Sequence, residues 1–141
     1  MSTEPIVVEK VVGAPVERVW RAISDGAEMP KWFFEQIEAF KPELGFETTF
    51  TVHNAGKDYP HRWRVTEVVP QRKLAYDWHH PGFPGAAVVT WAIAPAAEGT
   101  NVRVTHAGIE TFPQDDPAFT RESGIRGWEH FLDRLKAFVE A

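Results

Sequence analysis

The sequence predicts an α+β domain in which a curved antiparallel β-sheet wraps around one long C-terminal helix. Two observations carry this prediction. Near the C-terminus, apolar residues recur at the three-to-four-residue spacing of a helix with one buried face, at Phe131, Leu132, Leu135, Phe138 and Val139. The long stretch before this helix instead alternates apolar and polar residues with a period of two, which is typical of strands.

The N-terminal part predicts one strand followed by two short helices. The apolar run Ile6–Val12 is the first strand. Pro15 then favours a helix start, because proline at the first helical position loses no hydrogen bond that the helix needs. Pro30 limits the second helix to one or two turns. Two short helices are therefore expected between the first strand and the rest of the sheet.

The alternating pattern predicts the remaining strands and the start of the last helix. Six further strands are expected at Ile37–Phe40, Phe46–Val52, His61–Val69, Leu74–Trp78, Ala87–Ala94 and Val102–His106. Short loops between neighbours favour an antiparallel meander. A longer connection, Gly108–Pro117, leads to the final helix, which we expect from about Phe119 to Val139.

Length, charge and composition exclude several classes of protein. The 141 residues predict a single domain spanning residues 1–141. With 20 acidic against 15 basic residues and a net charge of −5, the chain lacks the basic patch that binds nucleic acid. It has no cysteine, no leader in Met1–Pro5 and no apolar run long enough to insert into a membrane. We therefore expect a soluble, cytoplasmic protein.

Tryptophan-rich strands facing a helix predict a binding cavity, because small-molecule sites are concave and mostly apolar with a few polar groups. By strand alternation, Trp63, Trp78 and Trp91 point under the long helix, and ordinary core packing is the alternative. A hydrophobic or aromatic small molecule is the expected ligand. The predicted cavity wall comprises Trp32, Phe34, Phe50, Trp63, Tyr76, Trp78, Trp91, His106, Phe131, Leu132 and Leu135.

Two of these residues carry polar groups that would orient a ligand. His106 continues the inward phase of Val102 and Val104 at the end of the last strand, and a neutral imidazole there can donate or accept a hydrogen bond. Tyr76 would bring a hydroxyl inward. The alternatives are a buried histidine satisfied by backbone groups and a tyrosine exposed at a strand end.

No catalytic or metal site is predicted. The six histidines lack the spacing of a zinc site, so no metal and no cofactor is expected. Asp77 and His79 share a strand face, as an oriented catalytic imidazole would require, but no nucleophile accompanies them and their phase points to solvent. Catalytic residues therefore stay unassigned.

Several segments in order resemble a known family. They are Ala14–Ile23, Trp32, Val65–Pro70 with Leu74 and Trp78, Gly99–Thr100, Val102, Val104–His106, Gly108 and Gly127–Trp128. The element order resembles the helix-grip fold of the START-like, birch-pollen-allergen-like superfamily (SRPBCC). Within that superfamily, the sequences of these segments resemble the family related to the activator of the heat-shock chaperone ATPase.

The resemblance implies three functional alternatives. The first is binding of a hydrophobic small molecule between the sheet and the last helix. The second is an enzyme similar to polyketide cyclases, in which the same cavity positions a reactive chain. The third is an interaction module, with a chaperone or a second copy of the chain as partner. Because the superfamily hosts many activities, the fold alone does not choose among them.

Overall fold

The computed structural model describes residues 3–141, so the first two residues of the N-terminal segment, on which the absence of a leader was argued, lie outside it. Its strands are β1 (Ile6–Val12), β2 (Glu47–Asn54), β3 (Lys57–Val69), β4 (Lys73–His79), β5 (Ala87–Ala96) and β6 (Gly99–Ala107). Its α-helices are α1 (Val16–Ser24), α2 (Met29–Trp32) and α3 (Arg121–Glu140). Two 3-10 turns, Ile109–Thr111 and Pro117–Phe119, precede α3.

The six strands form one antiparallel sheet in the order β1-β6-β5-β4-β3-β2. Strands β2 to β6 are therefore a meander, and β1 adds to β6 at the other edge. A bulge in β3 between Val65 and Glu67 shifts its register with β4, and bulges of this kind bend a strand and increase its twist. The predicted α+β architecture, a curved sheet with a long C-terminal helix and short helices after the first strand, is confirmed.

Helix α3 lies against the inner face of the sheet. It buries Trp128, Leu132, Leu135 and Val139 in the same apolar core as the inward residues of the strands. Its N-terminus is capped by the Thr120 hydroxyl, which accepts a hydrogen bond from the Ser123 amide at 3.2 Å. None of the helices in residues 3–141 has the length and apolar character needed to cross a bilayer.

Side chains of α3 also fix the helices that follow β1. The Arg134 guanidinium donates to the carbonyl oxygens of Phe33 (3.3 Å) and Lys31 (3.2 Å), which lie at the end of α2. Orphan carbonyls at a helix end need such donors. The Glu140 carboxylate accepts from the Gly13 amide at 2.6 Å. The turn after β1 and the end of α2 are thus tied to the same helix.

Several predicted elements differ from the structure. Strand β3 begins at Lys57 rather than His61, and β6 begins at Gly99 rather than Val102. Residues 37–40 form no strand, because the Ile37 amide donates to the Phe34 carbonyl in a turn. The side chains of Ile37 and Phe40 are nevertheless buried in the core. Their side chains are three residues apart, a spacing that suits a turn rather than a strand. The last helix begins at Arg121 rather than near Phe119, because Pro117–Phe119 closes a separate 3-10 turn.

Stacked aromatic rings fill the middle of the core. The rings of Trp63 and Tyr76 are stacked, with centroids 4.7 Å apart. The Trp91 indole N–H donates to the Tyr76 hydroxyl at 3.0 Å, and all three side chains are buried. Within the described residues the Trp63 indole nitrogen is buried without a hydrogen-bond partner. Of these two indole N–H groups, only that of Trp91 therefore donates a hydrogen bond to a neighbouring side chain.

This difference predicts unequal costs for two similar substitutions. Trp91→Phe removes ring volume and leaves the buried Tyr76 hydroxyl without its donor, whereas Trp63→Phe removes a comparable volume and an N–H that has no partner. We expect the free energy of unfolding to fall by roughly 1–3 kcal/mol more in Trp91→Phe than in Trp63→Phe, measured by urea denaturation. Equal losses, or a larger loss in Trp63→Phe, would contradict this assignment.

Candidate functional site

A cavity of about 220 Å³ lies between the sheet and the N-terminal half of α3. The connection between β6 and α3 closes one of its sides. Its lining residues are Phe34, Val52, Asn54, Tyr59, His61, Trp78, His80, His106, Ile109, Phe112, Ala118, Phe119, Thr120, Gly124, Gly127, Trp128 and Phe131. Most of these side chains are apolar, and the polar ones are three imidazoles and the side chains of Asn54, Tyr59 and Thr120.

The structure brings four of the eleven predicted wall residues to this cavity: Phe34, Trp78, His106 and Phe131. Phe50 instead lines a separate surface depression beside the edge strand β2. The other six are packed in the core and do not line the cavity; they are Trp32, Trp63, Tyr76, Trp91, Leu132 and Leu135. The predicted wall thus divides between residues that line this cavity and residues that are packed in the aromatic core.

Three important residues were missing from the predicted wall. His61 and His80 line the cavity and are almost fully buried, whereas the sequence predicted only His106 among the histidines as a wall residue. Each lies two residues from a tryptophan, Trp63 or Trp78, and so shares its inward phase. Trp128 on α3 also lines the cavity. The strand phase of the two histidines was the signal that could have identified them.

Trp78 on β4 is the centre of the polar cluster. Its ring centroid lies 5.5 Å from that of His61, 6.3 Å from that of His80 and 5.5 Å from that of His106. The Trp128 ring meets it edge-on at 6.0 Å. Edge-to-face contacts of this kind are favourable for aromatic rings. Strands β3, β4 and β6 and helix α3 thus each contribute a side chain to one cluster.

Two indole N–H groups determine the protonation of two imidazoles. The Trp78 indole donates to Nδ1 of His61 at 3.0 Å, and the Trp128 indole donates to Nδ1 of His106 at 2.9 Å. An indole N–H can only donate, so both Nδ1 atoms must be unprotonated acceptors. In the neutral form each imidazole therefore carries its hydrogen on Nε2.

His80 has the opposite arrangement. Its Nδ1 lies 3.1 Å from the carbonyl oxygen of Pro60, and a carbonyl oxygen only accepts, so this Nδ1 carries the hydrogen. Nε2 of neutral His80 is then an acceptor. Its ring lies 4.5 Å from that of His61, centroid to centroid. The site therefore combines two N–H donors with one nitrogen acceptor.

The environment keeps these imidazoles neutral at pH 7. Burial in apolar surroundings disfavours the charged form and, with the nearby His80, lowers the pKa of His61 to about 3 and that of His106 to about 4. Burial also lowers the pKa of His80, although its bond to the Pro60 carbonyl acts in the opposite direction. Protonation of His61 or His106 would in addition place a hydrogen on Nδ1 facing an indole N–H.

One donor of the site is unused. Nε2 of His106 is buried and has no hydrogen-bond partner among the described residues, although the residue as a whole is only half-buried. Leaving a buried polar group unpaired costs roughly 1–3 kcal/mol. His106 also lines the cavity.

Other candidate groups do not join this site. The Tyr76 hydroxyl accepts from Trp91 and is enclosed in the core, where burial raises its pKa. Asp77 and His79 lie on the opposite face of β4 and do not line the cavity. Across residues 3–141, no group of three or more histidine or carboxylate side chains is placed to hold a metal ion.

The lowered histidine pKa values predict a loss of stability in mild acid. Unfolding exposes His61 and His106, which then bind protons below pH 6.5, whereas the folded protein keeps them neutral down to about pH 4. Their contribution is fully present above pH 6.5 and declines as the pH falls. We expect His106→Asn to reduce the slope of unfolding free energy against pH by about 1 kcal/mol per unit between pH 6 and 5.

The exposed His130 supplies the control for this measurement. His130→Asn makes the same substitution at a side chain that solvent reaches, and so controls for the effect of a histidine-to-asparagine change as such. Urea denaturation at a series of pH values gives both slopes. If His106→Asn and His130→Asn had the same slope as the parent protein, His106 would not be held neutral by the fold.

Comparisons with known proteins assign this chain to a family. A search of the curated proteins finds no match. Residues 13–140 match the family model described as "Activator of Hsp90 ATPase homolog 1-like protein". Among solved structures, CV1439 from Chromobacterium violaceum is 26% identical over 99% of both chains, with a TM-score of 0.83.

Two further solved structures share the fold at lower identity. CalU16 from Micromonospora echinospora is 24% identical over 96% of this chain and 75% of its own, with a TM-score of 0.67. DynU16, a protein of the dynemicin biosynthetic locus, is 24% identical over 99% of this chain with a TM-score of 0.77, and the match covers 48% of DynU16. Because the family model spans nearly the whole sequence, the chain belongs to the activator of Hsp90 ATPase homolog 1-like family, which is of the START-like (SRPBCC) type.

Proposed function

We propose that this protein binds a hydrophobic or aromatic small molecule in the cavity between the sheet and α3. The observation that carries the proposal is the combination of an apolar hollow of about 220 Å³ with three neutral imidazoles in its wall. Small-molecule sites have this composition, a mostly apolar wall with a few fixed polar groups. Burial of the ligand's apolar surface, at about 25 cal/mol per Å², would supply most of the affinity.

The volume limits the size of the ligand group that the cavity can hold. An apolar protein cavity of about 150 Å³ holds benzene, so a cavity of about 220 Å³ has room for one aromatic ring with a short substituent. Trp78 and Trp128 offer ring faces and edges to such a molecule. DynU16 is encoded in a biosynthetic locus, and a small organic molecule as ligand of the shared fold is in keeping with that setting.

An enzyme that uses the same cavity is the second candidate. The observation in its favour is that the cavity is lined both by His80, whose Nε2 is an acceptor, and by His61 and His106, whose Nε2 atoms carry hydrogen, a combination that general acid–base chemistry uses. Turnover distinguishes the two functions. A binding protein returns its ligand unchanged, whereas a cyclase-like enzyme releases a different compound.

Glycine 127 offers a direct test of the cavity. Gly127 lines the cavity, and a Cβ atom built on it would meet no other atom within 4 Å. We expect the series Gly127→Ala, Gly127→Leu and Gly127→Phe to reduce binding of a fluorescent hydrophobic probe in step with side-chain volume. Replacing a helical glycine favours the helix by up to about 1 kcal/mol, so thermal stability should be kept.

The controls for this series separate binding from folding and from partner recognition. Equal binding by the parent protein and Gly127→Phe would show that the probe does not occupy the cavity. The family description names an activator of a chaperone ATPase, and the same variants address that role. Gly127→Phe fills the cavity from one position on α3 and leaves every other side chain unchanged, so stimulation of Hsp90 ATPase that survives in this variant would assign that activity to residues outside the cavity.

A further inference from the structure

We infer that the ligand of this cavity is an uncharged, compact aryl carbonyl compound whose oxygen accepts a hydrogen bond from Nε2–H of His106. This inference rests on the proposed binding function and adds the chemical class of the ligand. It follows from three features of the site: a fixed donor without a partner, a wall without charged side chains, and a flat aromatic boundary.

The donor is fixed by its neighbour. Because the Trp128 indole occupies Nδ1 of His106, the hydrogen of the neutral ring is held on Nε2. This imidazole therefore cannot change tautomer to suit a ligand that offers a donor, unless the bond to Trp128 breaks. A ligand that pairs with His106 must present an acceptor. Among uncharged oxygen groups, carbonyls and ethers present lone pairs and no hydrogen, and the carbonyl oxygen is the stronger acceptor.

The wall excludes ions. Its lining contains no lysine, arginine, aspartate or glutamate among the described residues. The cation nearest in sequence to the lining residue Tyr59 is Lys57, whose ammonium group is paired at 2.8 Å with Asp116, the carboxylate that also accepts from the Tyr59 hydroxyl at 3.1 Å. A carboxylate moved into such a wall would lose its hydration without gaining a counter-ion. Fatty acids and aromatic acids are therefore poor ligands.

The boundary suits a planar molecule. The His106 ring stacks on that of Trp78 at 5.5 Å with an interplanar angle of 21°, and Trp128 stands edge-on to both. An aromatic ring bound beside these groups would bring a carbonyl attached to it into the plane of the ring. The recognised group is thus an aryl ketone or aldehyde of about one ring.

Three probes of nearly the same shape test each part of this inference. Acetophenone is the aryl ketone, α-methylstyrene replaces its carbonyl oxygen by a methylene group, and benzoate is an anion of similar size. Dissociation constants are measured at pH 7 by quenching of tryptophan fluorescence. We expect acetophenone to bind at least tenfold more tightly than benzoate.

Two variants isolate the hydrogen bond. His106→Asn keeps an oxygen at the position of Nδ1, as an acceptor for Trp128, and removes the Nε2–H donor. We expect it to weaken acetophenone about tenfold, the worth of one neutral hydrogen bond in a buried site, and to change α-methylstyrene less than twofold. His106→Gln carries an amide N–H near the position of Nε2 and should recover part of the loss. Thermal unfolding of both variants verifies that they are folded.

Each outcome bears on a different claim. If acetophenone and α-methylstyrene lost affinity equally in His106→Asn, the hydrogen bond to His106 would be refuted while binding in the cavity stood. If benzoate bound as tightly as acetophenone, the requirement for a neutral ligand would be refuted. If none of the three probes bound the folded parent protein, the proposed binding function and this inference would both fail.

Discussion

The structure depends on two hydrogen bonds from indole N–H groups to imidazole nitrogens. One joins Trp78 on β4 to His61 on β3, and the other joins Trp128 on α3 to His106 on β6. The second is a polar link between the long helix and the sheet inside an otherwise apolar contact. Each bond satisfies two buried polar groups at once, and together they decide which nitrogens of the site can face a ligand.

The same aromatic residues divide the interior into two parts. Beneath α2 and the middle of α3, the rings of Trp32, Phe33, Trp63 and Trp91 fill the space between sheet and helix. Toward the start of α3 the helix carries Gly124 and Gly127 instead of large side chains, and there the cavity opens. The cavity is thus a consequence of where the large and small residues fall along the helix.

The architecture was predictable from sequence because it rests on periodicity. Alternation identified strands β2 to β6, and the three-to-four-residue spacing identified α3. The strand predicted at residues 37–40 was wrong, because apolar side chains that a turn buries in the core give the same sequence pattern as a short strand. Distinguishing the two requires backbone hydrogen bonds such as that from Ile37 to Phe34, which a sequence does not show.

The site was predictable only in part, because strand phase tells which face a residue takes but not how far along the strand the helix covers it. Trp63, Tyr76 and Trp78 have inward side chains on neighbouring strands, yet only Trp78 reaches the cavity. His61 and His80 were weighed as metal ligands by their spacing, and their real partners are an indole and a carbonyl from other strands or turns. Such pairings depend on register, which the sequence does not specify.

The most direct measurement is the tautomeric state of the histidines by long-range proton–nitrogen NMR of the side chains at pH 7. The account predicts that His61 and His106 are neutral with the hydrogen on Nε2, and that His80 is neutral with the hydrogen on Nδ1. A protonated imidazolium, or a hydrogen on Nδ1 of His106, would contradict the hydrogen bond from Trp128 and with it the donor on which ligand recognition is built.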